Sequence, residues 1–386
     1  MAAVTSEDRI NRFKEWLGAK AAPQGAVGLK PGSSLLLASA LHGLARRAKG
    51  HKLTDIEEKA VKGFETVADS EDELVAIGEI CSEAKAAARS STFAAFNAPN
   101  AIMTLSEDVP LTREQFDDQV RMLGRETVEQ PHIRAVTIDQ VHSDGKIDET
   151  AEFASATSAL GRGVTMFVDP KANPDPATNS ATLTVRLQPS IFKCYRRSGE
   201  LGKDEVYFTW GFGDDAKRQT SHRTPEFGSV VTDTVRDFPS NTPPLEYGTV
   251  RKAVAGTAVC WEADHSSSAW YDKLILAMRE ASRLAADLAH DVGNDALNEL
   301  IGMLPGFSQY SEMVFWIENI AMVITALLEW LRNKDDKVAE HNYGFSTEFL
   351  RNWIGREGYL NFDFNGGGQG RHSMFVKPSV VNAFGP

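Results

Sequence analysis

The sequence predicts an α+β multidomain protein, an N-terminal mainly α-helical domain followed by an antiparallel β-sandwich with an inserted helical hairpin. Three observations predict it. Helix-start signals and apolar stripes at spacings of three and four run from Thr5 to about Val128. Short alternating segments bounded by Gly, Pro and Asp follow from Ala181 onward. One long apolar stretch, Met313 to Leu331, interrupts those segments. At 386 residues the chain is long enough for two domains, and 42% hydrophobic with 24% charged residues places it among globular rather than disordered proteins.

The helices come first. Thr54 with Glu57, Ser70 with Glu73 and Thr112 with Gln115 each set a hydroxyl and a carboxylate or amide three apart, where each satisfies the other's orphan backbone donor. Behind the first pair Ile56, Ala60, Val61, Phe64 and Val67 share one face, and behind the second Leu74, Ile77, Cys81 and Ala84 do so. An earlier helix over about 34–49 carries Leu35, Leu36, Leu37 and Leu41, with Gly50 placed for a left-handed cap. Two β-branched runs, 134–138 and 163–168, add short strands to this part, which spans 1–168.

A boundary is expected in the Pro-rich linker 169–180, where Pro170, Pro174 and Pro176 stand among small polar residues. Beyond it, in 181–386, strands are expected at 181–187, 205–210, 229–236, 257–261, 359–364 and 373–377. The hairpin occupies about 269–332. Its first helix carries Leu274, Met278, Ala281 and Ala285 on one face, Pro305-Gly306 breaks it, and Ser308 starts the second. Of the nineteen residues from Met313 to Leu331, fifteen are apolar, a length that just spans a bilayer. Glu318 and Glu329 inside it each cost about 2.5 kcal/mol or more at mid-membrane, which favours a buried hairpin.

Charge and cysteine content narrow the function classes. Forty-one Lys and Arg against fifty-three Asp and Glu give a net charge of −12, which argues against a nucleic-acid binder. Cys81, Cys194 and Cys260 are few, odd in number and far apart, a spacing that argues against a disulfide scaffold or a Cys-based zinc motif. The opening MAAVTSEDRINRF lacks an apolar signal core, so the expectation is a cytoplasmic protein or export without an N-terminal signal peptide. Asp139 to Glu149 echoes an EF-hand loop but lacks the bidentate glutamate, and reads as a turn. Gly366 to Gly370 has no following Lys-Ser or Lys-Thr and reads as a hairpin turn. No Gly-x-Ser-x-Gly is present, and His265 and His372 read as polar loop residues.

What stands out is acidic. Asp204 precedes a strand, Glu262 and Asp264 end one, and Asp335 and Asp336 follow the hairpin. Carboxylates at strand ends repel when they converge unless a hard cation joins them, and Ca2+ wants six to eight oxygens. These five residues are the candidate metal ligands, and Ca2+ the candidate cofactor.

In its order of segments this region resembles a C2 domain, the calcium-dependent membrane-binding sandwich. Ala181-Thr182-Leu183-Thr184-Val185-Arg186-Leu187 looks like that family's opening strand, and Lys203-Asp204-Glu205-Val206-Tyr207-Phe208 is similar to its Asp-Pro-Tyr strand start. Cys260-Trp261-Glu262-Ala263-Asp264 resembles its calcium loop, and Asp335-Asp336-Lys337-Val338 the acidic pair closing it. The resemblance covers about 181–378 and departs from the pattern at Glu205 and Glu262. It implies a non-enzymatic binding module, calcium-dependent, that engages a membrane surface or a protein partner through its loop end and hairpin. Two other classes compete with it. One is a toxin-like effector whose segment 313–331 enters a bilayer, and the other a hydrolase whose site, around Asp264, His265 and His372, assembles only in the fold.

Overall fold

In the computed structural model, which describes residues 5–18, 34–90, 101–169, 183–199, 202–251, 253–264, 268–291, 311–332, 335–356 and 358–381, the chain is mixed α+β, about 45% helix and 32% strand. The N-terminal helices are α1 (Ser6–Gly18), α2 (Leu35–Ala48), α3 (Asp55–Val67), α4 (Glu71–Ser90) and α5 (Arg113–Val128). Thr54 and Thr112 close full capping boxes with Glu57 and Gln115. The third is half made, because Ser70 Oγ accepts from the Glu73 amide while the Glu73 carboxylate turns to the Asp69 amide and to buried Arg9. Gly50 has φ +75°, the left-handed conformation that ends α2.

The strands form two sheets. Strands β1 (Ile133–Thr137), β2 (Arg162–Val168), β4 (Asp204–Asp214), β5 (Gln219–Arg223), β6 (Phe227–Val230), β9 (Ala253–Glu262) and β10 (Asp336–Ser346) make a seven-stranded sheet. Its order is β1-β2-β10-β9-β4-β5, with β6 also on β4. The second sheet joins β3 (Leu183–Arg196), β7 (Val235–Asp237), β8 (Glu246–Val250), β11 (Leu360–Asn365) and β12 (Arg371–Val380) in the order β11-β12-β3-β7, with β8 also on β3. The strand expected at 229–236 is two short ones, β6 and β7, because Asp233 takes a positive φ in the turn between them.

Every described strand pair within 181–386 is antiparallel, as expected, and parallel pairing enters only with the strands of the N-terminal part. β2 runs parallel to both β1 and β10. The segment β1, α6 (Ala151–Leu160), β2 is a strand-helix-strand unit, and a helical crossover returns the chain parallel to where it began. Strands from either side of 169–180 thus share one sheet, while 170–182 lie outside the described residues.

Alternation along the strands builds the layers. Val164 and Met166 of β2, Tyr207 of β4 and Val259 and Trp261 of β9 face the helices. Their neighbours Phe167, Val206, Phe208, Trp210, Ala258 and Cys260 face the second sheet. The order is therefore helices, seven-stranded sheet, five-stranded sheet, with one apolar core in each gap.

The expected hairpin is α7 (Ser268–Asp291) and α8 (Ser311–Leu331), packed together; 292–310, including the expected break, lie outside the described residues. A last helix, α9 (Thr347–Ile354), follows β10. α8 lies at the centre of the helical layer, touching α1, α2, α3, α5 and α7 on one side and β2, β9 and β10 on the other. Its apolar segment Met313–Leu331 is long and apolar enough to cross a membrane, and 89% of it is buried. Trp316 stacks on Phe116 and Trp330 on Phe64, at 6.3 and 5.8 Å between centroids. Glu318 is held by two 2.8 Å bonds from Arg162 and lies 3.2 Å from His132. Burial alone would raise its carboxyl, but Arg162 and then His132 overcome that and hold it at about 2.

Candidate functional site

The expected metal ligands split into two groups. β10, β9 and β4 lie side by side, so Asp336 stands opposite Glu262, and Glu262 opposite Val206. Asp335 precedes β10 and Asp264 follows β9. The Asp264 amide donates to Asp335 Oδ1 at 2.8 Å, but Asp335 bonds Tyr207 on the helical face of the sheet, whereas Glu262 and Asp336 stand in register with Val206, which faces the other sheet. Asp204 does not join them. Two residues before Val206, it turns its carboxylate to the Ser198 amide and hydroxyl, at 2.7 and 2.9 Å.

The corner around Asp335 is crowded with donors that the sequence did not suggest. Asp335 Oδ2 accepts from the Tyr207 hydroxyl at 2.9 Å, and the Tyr271 hydroxyl lies 3.4 Å away. Burial first, then Asp335, pushes the Tyr207 hydroxyl far above its ordinary range, so it keeps its proton and donates. Arg223 supplies a positive charge. Its guanidinium lies 3.4 Å from the Tyr271 ring centroid and 4.7 Å from that of Tyr207, and it pairs with Glu226. Arg223 thus places a positive charge beside the two tyrosines that flank Asp335. Among the described residues no three His, Cys, Asp or Glu side chains are grouped to hold a metal ion. What the corner does is tie the start of α7, through Tyr271, to the sheet.

A second polar cluster lies where α6 and β11 meet β2 and β10. It is lined by Glu149, Phe153, Arg162, Glu340, His341 and Asp363 and has room for about one water molecule. Thr165 Oγ1 lies 3.0 Å from Arg134 Nε and 2.8 Å from His341 Nε2, and His341 Nδ1 lies 3.1 Å from the Asp363 carbonyl. A carbonyl only accepts, so Nδ1 carries the proton and Nε2 accepts from Thr165. Burial, with Arg134 adding to it, keeps this imidazole neutral. The bonds run unbroken from Arg134 Nε to the Asp363 carbonyl, while Arg134 Nη1 and the hydroxyl of Tyr343, whose ring stacks on His341, are buried without a partner.

The outer face of the five-stranded sheet is open. Leu183, Val185, Leu187, Phe192 and Cys194 of β3 and His372, Met374 and Val376 of β12 point inward, so the residues between them point out. These include Arg186, Lys193 and Tyr195 on β3 and Phe375 and Lys377 on β12. Arg186 stands opposite Tyr247 of β8, and Lys193 opposite Val235 of β7. Arg371 lies on the same face, its charge met by Asp363 at 3.0 Å and Glu149 at 3.4 Å, and Lys193 lies 3.6 Å from Asp233. Lys193 lies 4.8 Å from the Tyr195 ring and Lys377 6.0 Å from that of Tyr359. Exposed Val231, Val235, Tyr247, Tyr359 and Val380 all belong to this sheet or its turns, at 36% to 51% exposure. The face combines cations with solvent-facing apolar groups in a chain whose net charge is −12.

Three expectations about loops resolve on geometry. Asp139 to Glu149 is a turn in which Gly145 has φ +80° and Val141 bridges Ile147. Gly367 and Gly370, with φ +58° and +109°, turn β11 into β12. His372 is not a loop residue but the second residue of β12, fully buried. His265 lies outside the described residues.

No family model matches the chain, and no curated protein or solved structure matches it.

Proposed function

We propose that the protein is a non-enzymatic binding module, a C2-like sandwich that docks on an anionic membrane surface through the outer face of its five-stranded sheet. The observation that carries this reading is the set of cations Arg186, Lys193 and Lys377 among exposed Val235, Tyr247 and Tyr359. Each cation near an anionic surface contributes about 1 kcal/mol, and the apolar side chains between them suit the headgroup boundary. Calcium enters this reading at the loop end, where exposed Asp264 and half-buried Asp336 would share the ion with lipid phosphates.

Sedimentation with vesicles tests it. Binding is expected to vesicles containing phosphatidylserine and not to phosphatidylcholine alone, weakening as salt rises. Lys193→Glu with Lys377→Glu is expected to lower binding by about tenfold or more. Equal binding to both vesicle types, or no loss in the double variant, overturns the docking face. Titration of calcium into chelator-treated protein tests the ion separately, and absence of heat at millimolar calcium rejects its part.

A second reading has its own observation. The 19-residue segment Met313–Leu331, with mean hydropathy 1.6, is sheathed by amphipathic helices and fits release into a bilayer. Leakage of dye from vesicles supports that reading, and intact vesicles from acidic to neutral pH reject it.

A further inference from the structure

We propose that His42 and Lys85 form an acid-operated latch, which holds α2 against α4 at neutral pH and releases them when His42 takes up a proton. The latch is independent of the docking face. It rests for its use on the bilayer reading of α8, since α2 also touches α8 and parting α2 from α4 loosens the sheath around that helix. The argument starts from a buried lysine. Lys85 of α4 and His42 of α2 are both fully buried, and Lys85 Nζ lies 2.8 Å from His42 Nδ1 and 2.9 Å from the Ile102 carbonyl.

The hydrogen bonds allow the imidazole one state. Its Nε2 lies 3.0 Å from the Val109 carbonyl, which only accepts, so Nε2 carries the proton and Nδ1 accepts from the Lys85 ammonium. A second proton turns Nδ1 into a donor facing a donor, and sets two positive charges 2.8 Å apart in a site closed to solvent. Like charges so placed repel strongly. The helices cannot close further to make room, because their backbones already touch at Gly78 of α4, whose Cβ would lie 2.3 Å from the Leu44 carbonyl oxygen. Relief comes by separation.

Titratable groups face His42 from α2, α3, α4 and the segment 101–112. Lys85 and, from α2 itself, Arg46 add positive charge, while Cys81, one turn before Lys85, is kept neutral by burial, which pushes its thiol to about 12. Two carboxylates oppose them. Glu57 lies 3.5 Å from Nε2, but it is engaged by Arg46 at 3.2 Å and by the Thr54 and Leu111 amides, each at 2.8 Å. Glu107 pairs with Lys49 at 3.4 Å. Burial first, then Lys85, outweighs the carboxylates and pulls the imidazole down to about 4 from its ordinary 6.5. The stabilisation from a neutral His42 is therefore complete above about 6.5 and is lost as pH falls toward about 4.

The test uses the full chain and hydrogen–deuterium exchange from about pH 7 to about pH 4.5, with exchange times scaled to the intrinsic rate at each pH. Opening in peptides of α2 and α4 is expected to rise about tenfold for each pH unit below about 6.5. His42→Asn, which cannot take the proton, should remove that rise, and Lys85→Met should make it shallower and carries the comparison if His42→Asn fails to fold. A merely structural pair would change exchange by one factor at every pH. Flat exchange of α2 and α4 in the wild type overturns the latch without any variant, and so does a rise that persists unchanged in His42→Asn. Dye release from phosphatidylserine vesicles over the same range separates the latch from the bilayer reading. His42-dependent opening without leakage supports the latch and rejects that reading, whereas leakage without such opening overturns the latch alone.

Discussion

The two faces of the seven-stranded sheet bury polar groups in different ways. On the helical face the buried carboxylates are paired, although His132 Nδ1 is left without a partner. Arg162 meets Glu318, Arg46 meets Glu57 and Arg9 meets Glu73. Fully buried Lys85 donates to the Ile102 carbonyl and to His42, whose imidazole burial and Lys85 push down to about 4. On the face toward the second sheet the polar groups are unfinished, with no partner for His372 or for Glu246 Oε2. The difference teaches where to look. A matched buried charge fixes how elements pack, and an unmatched one marks where a proton or an ion enters the energetics.

Breaking a matched pair is expected to have the largest effect. Arg162→Leu leaves Glu318 buried without its guanidinium and should cost about 3–5 kcal/mol by urea unfolding. The double variant Arg162→Leu with Glu318→Leu should recover most of it. The Glu318 carboxyl is lower folded than unfolded, so its stabilisation is present above about 4.5 and is lost as pH falls toward about 2. The double variant should lose that acid slope. A cost under about 1 kcal/mol for Arg162→Leu would make the two faces alike.

An unmatched group should respond with the opposite sign. Burial, then Asp214, raises the Glu246 carboxyl to about 7. Its favourable contribution is complete below about 4.5 and is lost as pH rises through 7, where a charge appears in the core. Glu246→Gln, which cannot ionise, should therefore be more stable than wild type by roughly 2–3 kcal/mol at pH 8.5 and equal to it near pH 4. Equal destabilisation at both values would show Glu246 to be ionised and paired. Next in size is Gly344→Ala. Its Cβ would lie 2.3 Å from Met166 Sδ and 2.7 Å from Ile317 Cδ1, where α8 crosses the sheet, and overpacking there should cost about 2 kcal/mol. Smallest is Thr54→Ala, which removes one cap and should lower stability by about 1 kcal/mol in thermal unfolding.

What was legible in the sequence was local. The caps at Thr54 and Thr112 and the stripes behind them need only residues three and four apart. The two glutamates in α8 argued for burial, and Glu318 is indeed paired inside the core. Strand partnership was not legible, because β2 finds β10 some 170 residues later, and no local pattern specifies that pairing. The carboxylate corner was half legible. Asp264 meets Asp335, and Glu262 stands opposite Asp336, but the two pairs lie toward different faces of the sheet, and Asp204 is engaged by Ser198. Arg223, the corner's own cation, sits in a short strand with no apolar alternation to announce it. His372 was misread because glycines precede it, although Met374 and Val376 continue its alternation into the core.

Hydrogen–deuterium exchange of the protein on phosphatidylserine vesicles tests the docking account most directly. The account predicts new protection in peptides from β3, β8 and β12, with α7 and α8 unchanged. Protection confined to the helical layer, or exposure of α8 with the outer sheet face unaffected, would contradict it.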